Sequence, residues 1–114
     1  MIEIDGYSLT IQEVIRVARY FEPVRMSASG RSQVEASRAV VDKLLDSENP
    51  VYGISTGFGD LSRIWISPAE REKLQRNLIL SHAAGVGNCL PQDVVRAAML
   101  MRANSLVKGY SGIR

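Results

Sequence analysis

The segment Ser67-Pro68-Ala69-Glu70 is the strongest signal for the start of a helix in this sequence. Serine is favoured just before a helix, proline is favoured in its first turn, and a glutamate three positions after the serine can bond back to it. The segment therefore predicts a helix from Ala69 to about Ala83. Gly85 and Gly87 follow, and we expect them to end it.

Apolar residues at helical spacing predict three more helices. The first begins after Thr10, which has capping-box spacing to Glu13, and ends before Pro23. The second covers residues 31–45 and the last covers residues 91–107. The residues expected to face inward are Val34, Val41, Leu44 and Leu45 in the second helix, Leu74, Leu78 and Ile79 in the third, and Val94, Ala98, Met101 and Ala103 in the last.

Two segments do not follow the helical pattern. Ile2 and Ile4 alternate with acidic residues, and Asp5-Gly6 is a favourable two-residue hairpin turn, so a small β-ribbon is predicted over residues 2–9. The glycine-rich stretch 51–59 cannot form a regular helix. The prediction is therefore a mainly α fold, with one domain over residues 1–114 that carries a β-ribbon and a glycine-rich loop.

Composition narrows the possible partners and the compartment. The net charge is only +2, with acidic and basic residues interleaved, so nucleic acid is not a predicted partner. A single cysteine, Cys89, excludes an internal disulfide framework and is typical of a reducing compartment; we interpret it as a buried or half-buried bystander. Because no signal peptide and no apolar run of about 20 residues is found, we expect a cytoplasmic protein without a membrane partner.

Several kinds of active site are excluded because the sequence lacks the motifs that they require. A P-loop requires lysine and a hydroxyl residue after its second glycine, whereas Phe58 follows Gly57. A dinucleotide fingerprint requires a third glycine within a βαβ unit. One histidine and no paired cysteines leave too few ligands for a metal site, and no nucleophile elbow is present.

Three stretches taken together resemble a known family. They are VYGISTGFG at 51–59, LQRNLILSHAAGVG at 74–87 and VVRAAMLMRANSLVKGYSGIR at 94–114. In order and spacing they resemble the N-terminal part of the aromatic amino acid ammonia-lyases, most closely the histidine-specific members. The resemblance implies a longer, mostly helical homotetramer of the fumarase–aspartase-like superfamily. It also implies elimination of ammonia, from L-histidine to trans-urocanate in the histidine-specific members.

The resemblance also implies roles for individual residues. Tyr52 matches the tyrosine taken in the family as the base that removes a β-proton, and His82 matches a histidine linked to binding the substrate's imidazole. A free tyrosine has a pKa of about 10, so a tyrosine can serve as this base only if its surroundings lower that pKa. The remaining loop residues carried over from the family motif are Gly53, Thr56, Gly57, Phe58 and Gly59. Ser55 departs from the usual asparagine or threonine, and we expect little change from it.

The family's electrophile is a methylidene-imidazolone (MIO) that forms from an internal Ala-Ser-Gly without an added cofactor. Ala28-Ser29-Gly30 spells this tripeptide, but it lies far upstream of the family's position, in an expected turn of small polar residues. We therefore expect no MIO in this chain and no metal. The true tripeptide and the carboxylate clamp are expected beyond Arg114, so the chain alone is expected to be inactive.

Three alternative functions remain open. A phenylalanine or tyrosine ammonia-lyase, or an aminomutase, differs from the leading interpretation at Ser81-His82, where such enzymes commonly carry a different pair. A short, non-catalytic binding module belongs to a different class of function. A nucleic-acid binder is the weakest, because Arg71, Lys73 and Arg76 are interpreted as the solvated side of one helix.

Overall fold

The structure is a computed structural model that describes residues 1–46, 50–59, 64 and 66–113, without the side chains of Pro68 and Arg71. The side chain of Arg71, predicted to lie on the solvated side of a helix, is therefore outside the described residues. Within them the elements are, in chain order, β1 (Ile2–Ile4), α1 (Ile11–Tyr20), β2 (Val24–Met26), α2 (Ala28–Leu45), α3 (Pro68–His82) and α4 (Gln92–Val107). The prediction of a mainly α fold is confirmed.

The chain divides into two compact units. One consists of Met1–Val40 together with Cys89–Arg114, and the other of Val41–Asn88. The predicted single domain over residues 1–114 stays a prediction.

No helix in the described part of the chain is both long and apolar enough to cross a membrane. Cys89 is exposed, so its interpretation as a buried residue is wrong.

Helix α1 starts with the predicted capping box. The Thr10 hydroxyl accepts a hydrogen bond from the Glu13 backbone N–H at 3.3 Å, and the Glu13 carboxylate accepts one from the Thr10 N–H at 2.9 Å. These bonds satisfy two amide groups that a helix start otherwise leaves unpaired. The Thr10 backbone N–H, followed by its hydroxyl, also holds the pKa of Glu13 below its usual range.

The predicted hairpin over residues 2–9 is wrong, although a two-stranded ribbon is present. Strand β1 pairs with β2 in parallel, with Ile2 opposite Val24 and Ile4 opposite Met26. Asp5 does begin a turn: its carboxylate accepts hydrogen bonds from the Ser8 N–H at 2.8 Å and the Tyr7 N–H at 2.7 Å, which lowers its pKa. That turn leads into α1, and parallel strands need such a crossover.

The core of the first unit joins the ribbon, α1 and α4. Its buried residues are Ile2, Ile4, Val17, Leu100 and Val107. Of the four residues predicted to face inward from α4, only Ala103 packs on this core, whereas Val94, Ala98 and Met101 are exposed. The prediction failed because α4 is apolar on more than one side, so spacing alone could not identify its buried face.

A buried polar residue completes this core. The Asn104 side-chain oxygen accepts a hydrogen bond from the Gly6 N–H at 2.9 Å, which ties the turn after β1 to α4. Gly6 has φ +93°, and a Cβ there would lie 2.6 Å from Cγ of Lys108. Glycine is thus required by both the backbone angle and the close approach.

Helix α2 begins at Ala28, three residues before the predicted start. Ala28-Ser29-Gly30 is its first turn rather than a turn between helices, so that interpretation is wrong. The Gly30 N–H donates to the Ser27 hydroxyl at 2.9 Å, and a Cβ on Gly30 would meet Cγ1 of Val107. Farther along, the predicted inward residues Val34, Val41, Leu44 and Leu45 are half-buried.

Candidate functional site

The glycine-rich loop begins with a closed turn of the backbone. The N–H groups of Ile54 and Ser55 both donate to the Val51 carbonyl, at 3.1 and 3.0 Å. In return, the Ser55 hydroxyl accepts from the Val51 N–H at 2.9 Å, and Ser55 is 0% exposed. Ser55 therefore closes the turn that carries Tyr52.

Thr56 fixes the next part of the loop. It is 2% exposed, accepts a hydrogen bond from the Gly53 N–H at 3.3 Å and donates one to the Gly57 carbonyl at 3.1 Å. Two backbone bonds then join the loop to the segment that follows it: Gly57 N–H to the Ile64 carbonyl at 3.2 Å, and Ile66 N–H to the Ser55 carbonyl at 2.9 Å. The amides on both sides of Tyr52 are thus held by buried hydroxyls.

Tyr52 points its ring outward from this turn. It is 63% exposed, and its ring meets that of Phe58 edge-to-face, with centroids 6.0 Å apart and planes at 77°. Gly53 has φ +71°, and a Cβ there would be 3.4 Å from Cε1 of Phe58, so a side chain at this position would be strained. Gly59 also has positive φ, at +57°. The loop therefore presents a phenol on a locally ordered backbone.

His82 is the last residue of α3. The helix starts at Pro68, one residue before the predicted start. The Ser67 hydroxyl donates to the Glu70 carboxylate at 2.8 Å and caps no backbone N–H, so the predicted serine cap is wrong. At the other end, Nδ1 of His82 lies 2.9 Å from the Leu78 carbonyl oxygen and 3.0 Å from the Ser81 hydroxyl. His82 is exposed, and its Nδ1 is held by its own helix.

The structure brings together only some of the predicted site residues. Tyr52, Gly53, Thr56, Gly57 and Phe58 form one hydrogen-bonded and ring-paired loop. No hydrogen bond joins His82 to this loop within the described part of the chain. A metal site is likewise not formed: no group of three or more candidate ligands occurs among the described residues.

Two residues with defined roles were underrated from the sequence. Ser55 was expected to matter little, yet its buried hydroxyl closes the turn. The sequence indicates Ser81 only as part of a pair that distinguishes relatives, yet its hydroxyl lies 3.0 Å from Nδ1 of His82. A hydroxyl residue within four positions of a backbone group it can bond to is the signal that could have pointed to both.

Comparison with known proteins relates this chain to one family. The model of the family described as aromatic amino acid lyase matches residues 9–114. The chain is 55% identical over 113 residues to a histidine ammonia-lyase of Alkaliphilus oremlandii, and 52% identical over 114 residues to one of Streptococcus pyogenes. These matches cover 99% and 100% of this chain but 22% of each relative, so the chain spans about a fifth of their length.

Solved structures show the same similarity. Tyrosine aminomutase from Streptomyces globisporus matches with a TM-score of 0.90 at 34% identity. Histidine ammonia-lyase from Trypanosoma cruzi matches with a TM-score of 0.89 at 38% identity. Each match covers 99% of this chain and 22% of the other.

Proposed function

This chain belongs to the aromatic amino acid lyase family, and from that premise we propose that it forms the N-terminal part of a histidine ammonia-lyase. The reaction is non-oxidative elimination of ammonia from L-histidine to give trans-urocanate. Identity of 55% and 52% to two histidine ammonia-lyases over essentially the whole chain supports this choice. The complete enzyme is the lyase that carries these 114 residues as its N-terminal segment.

Tyr52 is the proposed base that removes the β-proton of the substrate. The observation that carries this role is the exposed phenol on a turn closed by buried hydroxyls. A β-proton is weakly acidic, so its removal requires a base within hydrogen-bond reach and in a fixed orientation. The closed turn limits the movement of the Tyr52 backbone, and the edge-to-face contact with Phe58 limits the movement of its ring.

His82 is the proposed residue for binding the substrate's side chain. Its exposed ring lies at the end of α3, and its Nδ1 is occupied by groups of the same helix. The other ring nitrogen, Nε2, is therefore the atom that can meet a substrate imidazole. In this proposal Tyr52 acts on the β-carbon while His82 holds the far end of the same molecule.

The electrophile of the family is MIO, which activates the amino group of the substrate as a leaving group. The residues Ala28-Ser29-Gly30 do not fit this group. Cyclisation requires the glycine nitrogen to attack the alanine carbonyl carbon, but here the Gly30 N–H donates to Ser27 within a helical turn, and Gly30 is buried against Val107. We therefore place the electrophile in another part of the complete enzyme.

Assembly and location belong to the same proposal. We infer a cytoplasmic homotetramer for the complete enzyme, because the family resemblance implies that assembly and the single cysteine is typical of a reducing compartment.

A second candidate function is that of an aminomutase acting on tyrosine. The similarity to the Streptomyces globisporus tyrosine aminomutase favours it, at lower sequence identity than the histidine ammonia-lyases.

The test is to compare histidine, tyrosine and phenylalanine as substrates of the complete enzyme, with product absorbance as the readout. We expect histidine to be turned over, and Tyr52→Phe to lower kcat by about 100-fold or more while the fold is kept. Tyr20→Phe is the matched control, because it also removes an exposed phenol. Near-normal turnover by Tyr52→Phe would exclude Tyr52 as the base, and a preference for tyrosine would favour the second candidate.

A further inference from the structure

We propose that Ser55 is a positioning residue for Tyr52: its buried hydroxyl closes the turn that holds the phenol in the orientation needed for proton removal. Ser55 is not among the loop residues carried over from the family motif. The inference rests on the proposed function, since it concerns the residue proposed there as the base.

Ser55 and Val51 are joined by hydrogen bonds in both directions. The Val51 N–H donates to the Ser55 hydroxyl at 2.9 Å, and the Ser55 N–H donates to the Val51 carbonyl at 3.0 Å. Tyr52 lies inside the ring of atoms that these two bonds close. A rotation about the Tyr52 backbone therefore requires at least one of the two bonds to break.

Ser55 also ties this turn to the segment that precedes α3. Its carbonyl accepts a hydrogen bond from the Ile66 N–H at 2.9 Å. Ser55 thus bonds through its N–H, its carbonyl and its hydroxyl, and two of these three bonds go to the residue directly before Tyr52. The turn is fixed both within itself and against the next segment of the chain.

Burial makes the hydroxyl of Ser55 difficult to replace. Ser55 is 0% exposed, so water does not reach the place of the hydroxyl. In Ser55→Ala the Val51 N–H would lose its partner inside the protein, which costs the desolvation of that amide unless the turn rearranges. Tyr52 is 63% exposed, so surrounding side chains do not keep its ring in place when its backbone moves.

A residue that only positions the base has a characteristic kinetic effect. Proton transfer depends steeply on distance and alignment, and a displacement of about 1 Å can cost about 100-fold in rate. Binding of the substrate does not depend on the base in the same way. Loss of the Ser55 hydroxyl should therefore lower kcat and leave KM nearly unchanged.

The first test is a double-mutant cycle in the complete enzyme. We expect Ser55→Ala to lower kcat by about 10-fold or more and to change KM by less than about 2-fold. In the Tyr52→Phe background the same substitution should change kcat by less than about 2-fold, because the base that it positions is already absent. Ser55→Thr keeps a hydroxyl and should restore kcat. Ser105→Ala, which removes an exposed hydroxyl from α4, is the matched control.

The second test measures the turn directly. Hydrogen exchange followed by mass spectrometry reports how often backbone amides open in each part of the complete enzyme. We expect Ser55→Ala to speed exchange in the peptide that contains residues 51–59, and to leave exchange in α1 unchanged. Ser55→Thr should exchange like the parent in both regions.

The possible outcomes separate the two proposals. If the parent turns over tyrosine and not histidine, the proposed function is wrong, and the cycle measured on tyrosine still decides the role of Ser55. If the parent turns over histidine but Ser55→Ala keeps the parent kcat, or lowers kcat equally with and without Tyr52, the proposed function stands and this inference is overturned. Faster exchange throughout the molecule in Ser55→Ala would also overturn it, because Ser55 would then support the fold in general.

Discussion

At the scale of single residues, Gly109 shows how closely the turn after α4 approaches α2. Its φ is +72°, and a Cβ there would lie 2.6 Å from the carbonyl oxygen of Gln33. We predict that Gly109→Ala lowers the free energy of unfolding by about 2 kcal/mol or more, because left-handed strain adds to this overlap. Urea denaturation measures the change. Gly85→Ala is the control: its Cβ meets nothing within 4 Å, and similar losses for both variants would contradict the prediction.

The neighbouring Gly112 shows why Arg38 is not simply a solvated side chain. The Gly112 N–H donates to the Ser37 hydroxyl at 2.9 Å, and Arg38 donates to the Gly112 carbonyl at 3.2 Å. A sequence gives no indication of a bond between residues 74 positions apart. Candidate residues of the site could be chosen only where a family motif supplied them, as for Tyr52 and His82, and their roles stay predictions. Their geometry, including the contacts of the His82 ring with Leu78 and Ser81, required the structure.

At the scale of elements, local signals were predictable and long-range pairings were not. The capping box at Thr10 and the proline at Pro68 identified two helix starts, because each depends on a few consecutive residues. The partner of β1 is Val24–Met26, which lies beyond an intervening helix, and the Asp5-Gly6 turn gave the wrong partner. A turn motif indicates where a chain bends but not which strand it will meet.

The α1 capping box also makes stability depend on pH. The pKa of Glu13 is lowered from its ordinary value of 4.5 by the Thr10 backbone N–H and then by its hydroxyl. A carboxylate with a lowered pKa in the folded state stabilises the protein above its unfolded-state pKa, and this contribution is lost as the pH falls through the folded-state pKa. Acid should therefore weaken α1.

We predict that Thr10→Ala costs about 1 kcal/mol of unfolding free energy at pH 7, as the loss of a helix cap does. The variant should also lose less stability than the parent between pH 5 and pH 3, a window of about two units around the ordinary carboxyl value, because Glu13 has then lost its hydroxyl partner. Urea denaturation at the two pH values measures both effects. Ser32→Ala, which removes an exposed hydroxyl from α2, is the control. An unchanged acid dependence would show that the cap does not act through Glu13.

At the scale of the whole molecule, apolar surface on α4 exceeds what its own unit covers. Leu100 and Val107 are buried, but Val95 and Met99 are 40% and 68% exposed and lie one turn apart on another side of the helix. A helix that is apolar on several sides is typical of the interior of a larger protein. This agrees with a chain that spans 22% of the length of its relatives.

The isolated chain is therefore predicted to self-associate, because exposed apolar surface of this kind promotes association in water. It is also predicted to be inactive, because we place the electrophile in another part of the complete enzyme. Sedimentation velocity over a range of concentrations should show oligomers, and Met99→Glu should shift them towards monomer, since a charge in the contact would have to be desolvated. Ser105→Glu places the same charge at an exposed polar position of α4 and should leave the association unchanged. Urocanate absorbance and intact mass complete the test: steady turnover of histidine, or a mass lower by two waters, would mean that Ala28-Ser29-Gly30 cyclises in spite of its helical turn and that this chain carries its own electrophile.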